Sequence, residues 1–184
     1  MSYIINIDTA TATAHVSIAQ DGKLLQALQN ESQKDHGAFV QTAIQQLLKA
    51  AALSFVDIDA IAVTAGPGSY TGLRVGLASA KGLCYALNKP LLTLNTLEVL
   101  TTAAKKFSNN QQGVLYCPMI DARRMEVFTA LYTDTLTALV PPCAMILNDT
   151  SFLTTLEKEK IVFFGSGAAK WQQVCTHPNA SFTT

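Results

Sequence analysis

Three short stretches carry residue types and spacings that suit chemistry. The longest is Gly66-Pro67-Gly68-Ser69-Tyr70-Thr71-Gly72-Leu73-Arg74-Val75-Gly76. It follows an apolar, β-prone run and opens a long apolar helical one. A strand that breaks at Gly-Pro-Gly and restarts as a helix leaves backbone N–H groups free, a setting for an anion or for a tight backbone contact. The second stretch is Asp8-Thr9-Ala10-Thr11, at the end of the first strand. Asp8, Thr9, Gly66, Gly68, Ser69, Thr71 and Arg74 are the candidate phosphate-contacting residues. The third is Asp121-Ala122-Arg123-Arg124, in a tight turn. Two adjacent arginines suit phosphate or tRNA contact; a solvated hairpin with a weak local ion pair explains them equally well.

Each stretch falls short of a complete motif. No Gly-Lys-[Ser/Thr] follows Gly66, so the block is not a Walker A loop. It approximates the dinucleotide fingerprint, but the next strand leads into Asn95-Thr96 without the supporting acid. Glycines that permit close packing are the plainer explanation. No glycine lies between Asp8 and His15, and a strand-end Asp commonly caps nearby N–H groups. His36 is the one histidine in a helix-start context, but position 40 is Val40, so a two-histidine metal helix is absent. His15 and His177 read as structural or exposed. Cys84, Cys117, Cys143 and Cys175 form no C-x-x-C pair and read as reduced thiols.

The positioning elements follow from periodicity and turn signals. Tyr3–Asp8, Ala14–Ala19 and Leu24–Gln29 read as strands, the last two joined by a two-residue Asp21-Gly22 hairpin. Ser32 or Asp35 caps a helix from about Gly37 to Ala52. Then come strand Asp59–Ala65, helix Thr71–Leu87, strand Leu91–Leu94 and a helix from Thr96. The β-β-β-α-β-α-β-α order predicts a mixed sheet with helices packed on it. The polar run Lys105–Gln112 is the candidate boundary, giving lobes 1–107 and 108–184. Beyond it Val114–Ile120, Met125–Tyr132 and Ile161–Gly165 read as strands. An apolar run Ala138–Leu147 is interrupted by Pro141-Pro142, and Asp149–Lys158 and Gly167–Cys175 read as helices. No repeat of fixed short period is visible.

The chain of 184 residues carries 13 acidic and 13 basic residues, so strong autonomous nucleic-acid binding is not expected. With 14% charged and 49% hydrophobic residues its surface is sparse in charge, which favours complex formation. No signal peptide or membrane-spanning run is apparent, and the expected location is cytoplasmic. Gly72, Gly76 and Ala80 recur every four residues, beside Leu73 and Leu77. Phe39, Ala43 and Leu47 show a similar apolar excess on the preceding helix. A helix apolar nearly all round must be covered on both sides, so these eight residues are the expected partner interface. On this reading a bulky residue at Gly76 weakens partner binding and leaves the lobe folded.

Ile7-Asp8-Thr9-Ala10, the Gly66–Gly76 block and Met119-Ile120-Asp121-Ala122-Arg123-Arg124-Met125-Glu126-Val127-Phe128 resemble the TsaB (YeaZ) family, required for threonylcarbamoyladenosine in tRNA. The resemblance covers 1–132 well and the remainder loosely; Tyr70 stands where Phe is commoner, and the family runs longer. It implies an α/β actin- and Hsp70-like (ASKHA) fold of two ribonuclease-H-like lobes. It implies a non-catalytic subunit supporting TsaD, a homologue that holds the metal and transfers threonylcarbamoyl to the adenosine beside the anticodon. A small ATPase, TsaE, joins that complex, tRNA is engaged indirectly, and an isolated TsaB forms a homodimer through the same helices. No cofactor is expected for this chain beyond weak ATP or ADP binding, since ATP-using relatives place phosphate and Mg²⁺ at the turn after the first strand. The alternative is an ASKHA-type ATPase or kinase-like enzyme.

Overall fold

The computed structural model describes residues 1–32, 35–107 (Phe107 by its backbone) and 113–183. The chain divides into two compact units, Met1–Thr96 and Leu97–Thr184.

In the first unit β1 (Tyr3–Asp8), β2 (Ala14–Gln20) and β3 (Lys23–Asn30) form an antiparallel meander. Asp21 and Gly22 both adopt positive φ, 49° and 77°, as the two-residue hairpin requires. β4 (Ala60–Gly66) adds parallel to β1, and β5 (Leu91–Asn95) parallel to β4, so the order is β3-β2-β1-β4-β5. α1 (His36–Ala50) and α2 (Tyr70–Leu87) share one face of this sheet. Ile5, Ile7, Val16, Ile18, Ile61 and Val63 alternate along the strands towards that face, where they meet Val40, Ala43, Ile44 and Leu47 of α1 and Ala80 of α2. α2 stops at Asn88, whose left-handed conformation (φ 52°) lets its N–H reach Cys84 O.

The second unit repeats this topology. β6 (Val114–Asp121), β7 (Glu126–Tyr132) and β8 (Ala138–Ile146) form the meander, and β9 (Lys160–Phe164) and β10 (Ala180–Thr183) add in parallel, in the order β10-β9-β6-β7-β8. β8 was legible only as an apolar run because of its two prolines. It is an edge strand, where a missing N–H is tolerated, and its pairing with β7 skips Pro141 and Pro142. β10 had no sequence signal. The expected helices near 149–158 and 167–175 shrink to α4 (Leu153–Leu156) and α5 (Ala168–Gln172). Both sit against a core of Cys117, Met119, Phe163 and Trp171.

The division falls at Thr96/Leu97 rather than after residue 107. The reason lies in α3 (Thr96–Phe107): Leu97, Leu100 and Ala104 pack with Tyr116, Ile120, Tyr132, Val162 and Phe164. The polar run taken as a boundary therefore follows a helix of the second unit, and its residues 108–112 lie outside the described ones. Two mixed α/β sheets flanked by helices agree with the fold the resemblance implies. Among the described residues no helix is long and apolar enough to cross a membrane.

Candidate functional site

The Gly66–Gly76 block forms the junction between β4 and α2, and the turn after β1 lies directly on it. Asp8 Oδ1 accepts from Ala10 N (3.0 Å) and from Thr64 Oγ1 (2.8 Å), which folds the turn back over the helix start. Ala10 O then accepts from Ser69 N at 2.7 Å. Ser69 caps α2, its Oγ accepting from Gly72 N at 3.3 Å. Thr9 is wholly buried and its hydroxyl donates to Gly72 O at 2.7 Å.

This contact explains the glycine spacing. A Cβ at Gly68 would overlap Ala10 O, one at Gly72 would overlap Thr9 O, and one at Gly76 would overlap Thr9 Oγ1. The helix rides so close to the end of β1 that its contact stripe has no room for side chains. Of the seven candidate phosphate residues, the structure brings Asp8, Thr9, Gly68 and Ser69 together as a packing joint. Gly66 sits at the end of β4 with φ +117°, while Thr71 and Arg74 are exposed on α2. The Ser69 N–H and the Thr9 hydroxyl donate within the joint, and Gly72 N donates to Ser69 Oγ, so these three donors are engaged by the packing of the turn itself.

The expected partner face is corrected in the same way. Ala43, Leu47, Gly72, Gly76 and Ala80 are buried in their own unit. Phe39 and Leu77 are half-buried against its core, and Leu73 is half-buried. The reason is the width of the sheet: one five-stranded face accepts both helices, and each turns its apolar side inwards. The outer side of α1 is polar (Gln41, Thr42, Gln45, Gln46, Lys49). Gln41 Nε2 donates to Ser79 Oγ of α2 at 3.2 Å. α2 differs. Tyr70, Arg74, Ala78, Lys81 and Tyr85 are exposed at helical spacing, with Tyr70 at 74% and Tyr85 at 92%. Arg74 donates to Tyr70 Oη (3.2 Å) and stacks 5.4 Å from its ring centroid. The spacing of 70, 74, 81 and 85 was available in the sequence but was hidden beside the stronger glycine period.

In the second unit the β6–β7 turn is pinned from α5. Lys170 Nζ donates to Asp121 Oδ1 (3.1 Å), Arg124 O (2.8 Å) and Glu126 O (2.5 Å), and lies 3.5 Å from Arg123 O. Asp121 Oδ1 also accepts from Arg123 N at 2.6 Å. That bond, with Lys170 behind it, holds the Asp121 carboxyl below the usual carboxylate range. The expected ion pair thus forms with Lys170, a residue no local motif pointed to, and not with the neighbouring arginines. Elsewhere His36 is buried, its Nε2 donating to Ala12 O (3.2 Å). Cys117 is buried, which pushes its thiol up to about 12. Among the described residues no group of three His, Cys, Asp or Glu side chains is placed to hold a metal ion.

The family model described as TsaD, tRNA N6-adenosine threonylcarbamoyltransferase, matches residues 28–182. The tRNA threonylcarbamoyladenosine biosynthesis protein TsaB of Bacillus subtilis is 28% identical over 174 residues, covering 93% of this chain and 74% of the relative. TsaB of Escherichia coli is 34% identical over 129 residues, 70% of this chain and 54% of the relative. Among solved structures, YeaZ from Pseudomonas aeruginosa superposes with a TM-score of 0.80 at 22% identity, covering all of this chain and 84% of that one. The last likeness concerns the fold.

Proposed function

Since the chain belongs to the TsaD family, and within it to the TsaB (YeaZ) branch, we propose that it is a non-catalytic subunit. It pairs with a TsaD-type threonylcarbamoyltransferase and supports threonylcarbamoyladenosine formation in tRNA. The observation that carries the reading is the packed joint at Gly66–Gly76. Donors that a nucleotide-handling turn would offer to a ligand are used by Ala10 O, by the Ser69 cap and by the Thr9–Gly72 bond. The outward face of α2 supplies the docking surface in place of the buried stripe. Tyr70 and Tyr85 are large and exposed, with Arg74 and Lys81 between them, and tyrosine and arginine are side-chain types that dominate binding energy at interfaces. In the cytoplasm the subunit needs no nucleotide of its own, and its ATP or ADP binding is weak because the donors of the joint are already engaged. TsaE joins the assembly, and the isolated chain forms a homodimer through α2.

Calorimetric titration of the cognate transferase tests this. The wild-type chain binds, and Tyr85→Ala or Arg74→Glu weakens binding about tenfold or more, the effect of losing an interface anchor. Adding the chain restores threonylcarbamoylation by the transferase. Absence of a complex, or sustained ATP hydrolysis by the chain alone, would overturn the reading.

A further inference from the structure

The turn joining β6 to β7 uses residues that its backbone does not favour. Arg123 and Arg124 have φ of 72° and 46°, two consecutive non-glycine residues in the left-handed region. Consecutive left-handed positions are ordinarily filled by Gly, Asn or Asp, which tolerate that backbone at little cost. Here both positions hold long cations. The conformation persists because Lys170 and Asp121 hold it from inside. The ammonium gathers Arg124 O and Glu126 O, and the Asp121 carboxylate takes the Arg123 N–H. Lys170 is largely buried, its side chain 16% exposed.

The same arrangement leaves the two guanidinium groups without compensation. Asp121, the adjacent acid, is engaged by Lys170. Arg123 and Arg124 are both exposed, and neither side chain has a hydrogen bond, ion pair or ring contact among the described residues. The inward side of the turn is thus an internally neutralised anchor, and the outward side is a pair of free cationic forks on a fixed backbone. Guanidinium groups match phosphate oxygens in geometry and are weakly hydrated. A preorganised backbone lowers the ordering cost of engaging them.

We infer that the Arg123–Arg124 turn binds the phosphodiester backbone of an RNA, supplying phosphate contacts that position a tRNA on the complex. The assignment rests on the subunit reading above and gives it a direct RNA contact. The turn positions RNA and carries no sequence information. A chain with no net charge does not hold RNA strongly alone, so the contact acts alongside those of the transferase.

The test replaces both arginines with residues that suit the backbone, Arg123→Asn with Arg124→Gly. If the arginines serve the fold, this double variant melts lower. If they serve a ligand, it melts at the same temperature or higher, because the strained positions are relieved. An unmodified tRNA transcript is titrated onto the complex of chain and transferase at several salt concentrations. Loss of two phosphate contacts reduces the slope of log K against log [salt] by about 1.5, which corresponds to roughly 20-fold weaker binding at 0.15 M salt. Transferase binding is measured separately by calorimetry and stays unchanged. A complex with unaltered tRNA affinity overturns this inference alone. A drop in transferase affinity instead assigns the turn to a protein contact and overturns the RNA assignment. Failure of the wild-type chain to bind the transferase overturns the parent reading and this one with it.

Discussion

Replacing Gly76 by alanine separates the packing explanation of the glycine stripe from every surface explanation, because the two predict opposite signs. A glycine inside a helix is worse than alanine by about 1 kcal/mol, so an exposed Gly76 would make the change stabilising. Gly76 is not exposed. The new Cβ overlaps Thr9 Oγ1 and lies 3.6 Å from Ile7 Cγ2. Thr9 must withdraw, and its hydroxyl then leaves Gly72 O in a wholly buried site. An unpaired buried polar group costs about 1–3 kcal/mol. Forcing a methyl into packed surroundings costs about 1–3 kcal/mol more. Set against the propensity gain, the net loss is about 1–5 kcal/mol. Urea denaturation with an unchanged m-value reads this as a lower midpoint. Thr9→Ala removes the overlapping oxygen, so the double variant loses less than the two single changes together, with a coupling of about 1–3 kcal/mol. A Gly76→Ala protein as stable as wild type, or an additive cycle, would refute the claim that the end of β1 occupies this stripe.

The same helix supplies the control: Gly82 has open space where its Cβ would lie, so Gly82→Ala raises the urea midpoint by the equivalent of about 1 kcal/mol. Cys117 is kept protonated by burial, with its thiol pushed up to about 12; in native protein at pH 8 iodoacetamide labels the half-buried Cys143 and Cys175 and spares Cys117 until the chain is unfolded, as peptide mass spectrometry will show. Asp121 has its folded pKa lowered from 3.8, so its contribution to stability is present above that unfolded value and is lost as pH falls through the folded one. Asp121→Asn therefore lowers the melting temperature at pH 6, and the gap to wild type closes as pH falls below the unfolded value of 3.8 and through the lower folded one.

Much of the fold was legible because its signals are local. Alternating Ile5 and Ile7, the Asp21-Gly22 hairpin, and the breaks at Gly66 and Asn88 each specify backbone geometry within a few residues. They placed the strands and helices of the first unit within one or two positions. The second unit was less legible. Pro141 and Pro142 disguised an edge strand, and the short α4 and α5 owe their existence to packing on Phe163 and Trp171 rather than to propensity. The topological repeat followed from the family resemblance, which implies two ribonuclease-H-like lobes, and not from local patterns, since nothing in those patterns has to match between the two units. Strand order is set by which edges remain free, and different side chains satisfy it equally well. The Lys170 anchor escaped for a related reason: it lies 49 positions from Asp121, and a sequence offers no rule joining a lysine on a short helix to carbonyls in a distant hairpin.

The candidate site shows where that locality misleads. Gly72, Gly76 and Ala80 announce that something approaches α2 closely, and this is correct. Their spacing does not say what approaches. The answer depends on a non-local fact, that β4 pairs parallel to β1. Parallel neighbours end on the same side of a sheet, so the turn leaving β1 emerges beside the turn that starts α2, and the helix must pass over Thr9 and Ala10. Small residues then become obligatory for the fold itself, before any partner is considered. A partner face on this helix has to be sought about half a turn away, at positions free of that constraint. There side-chain size is unrestricted, and the chain places Tyr70, Arg74, Lys81 and Tyr85. Five of the eight residues expected at a partner face (Ala43, Leu47, Gly72, Gly76 and Ala80) are therefore buried within their own unit, while Phe39, Leu73 and Leu77 are half-buried. The exposed aromatic and cationic residues on the opposite side of α2 are the surface that the proposed subunit role would use.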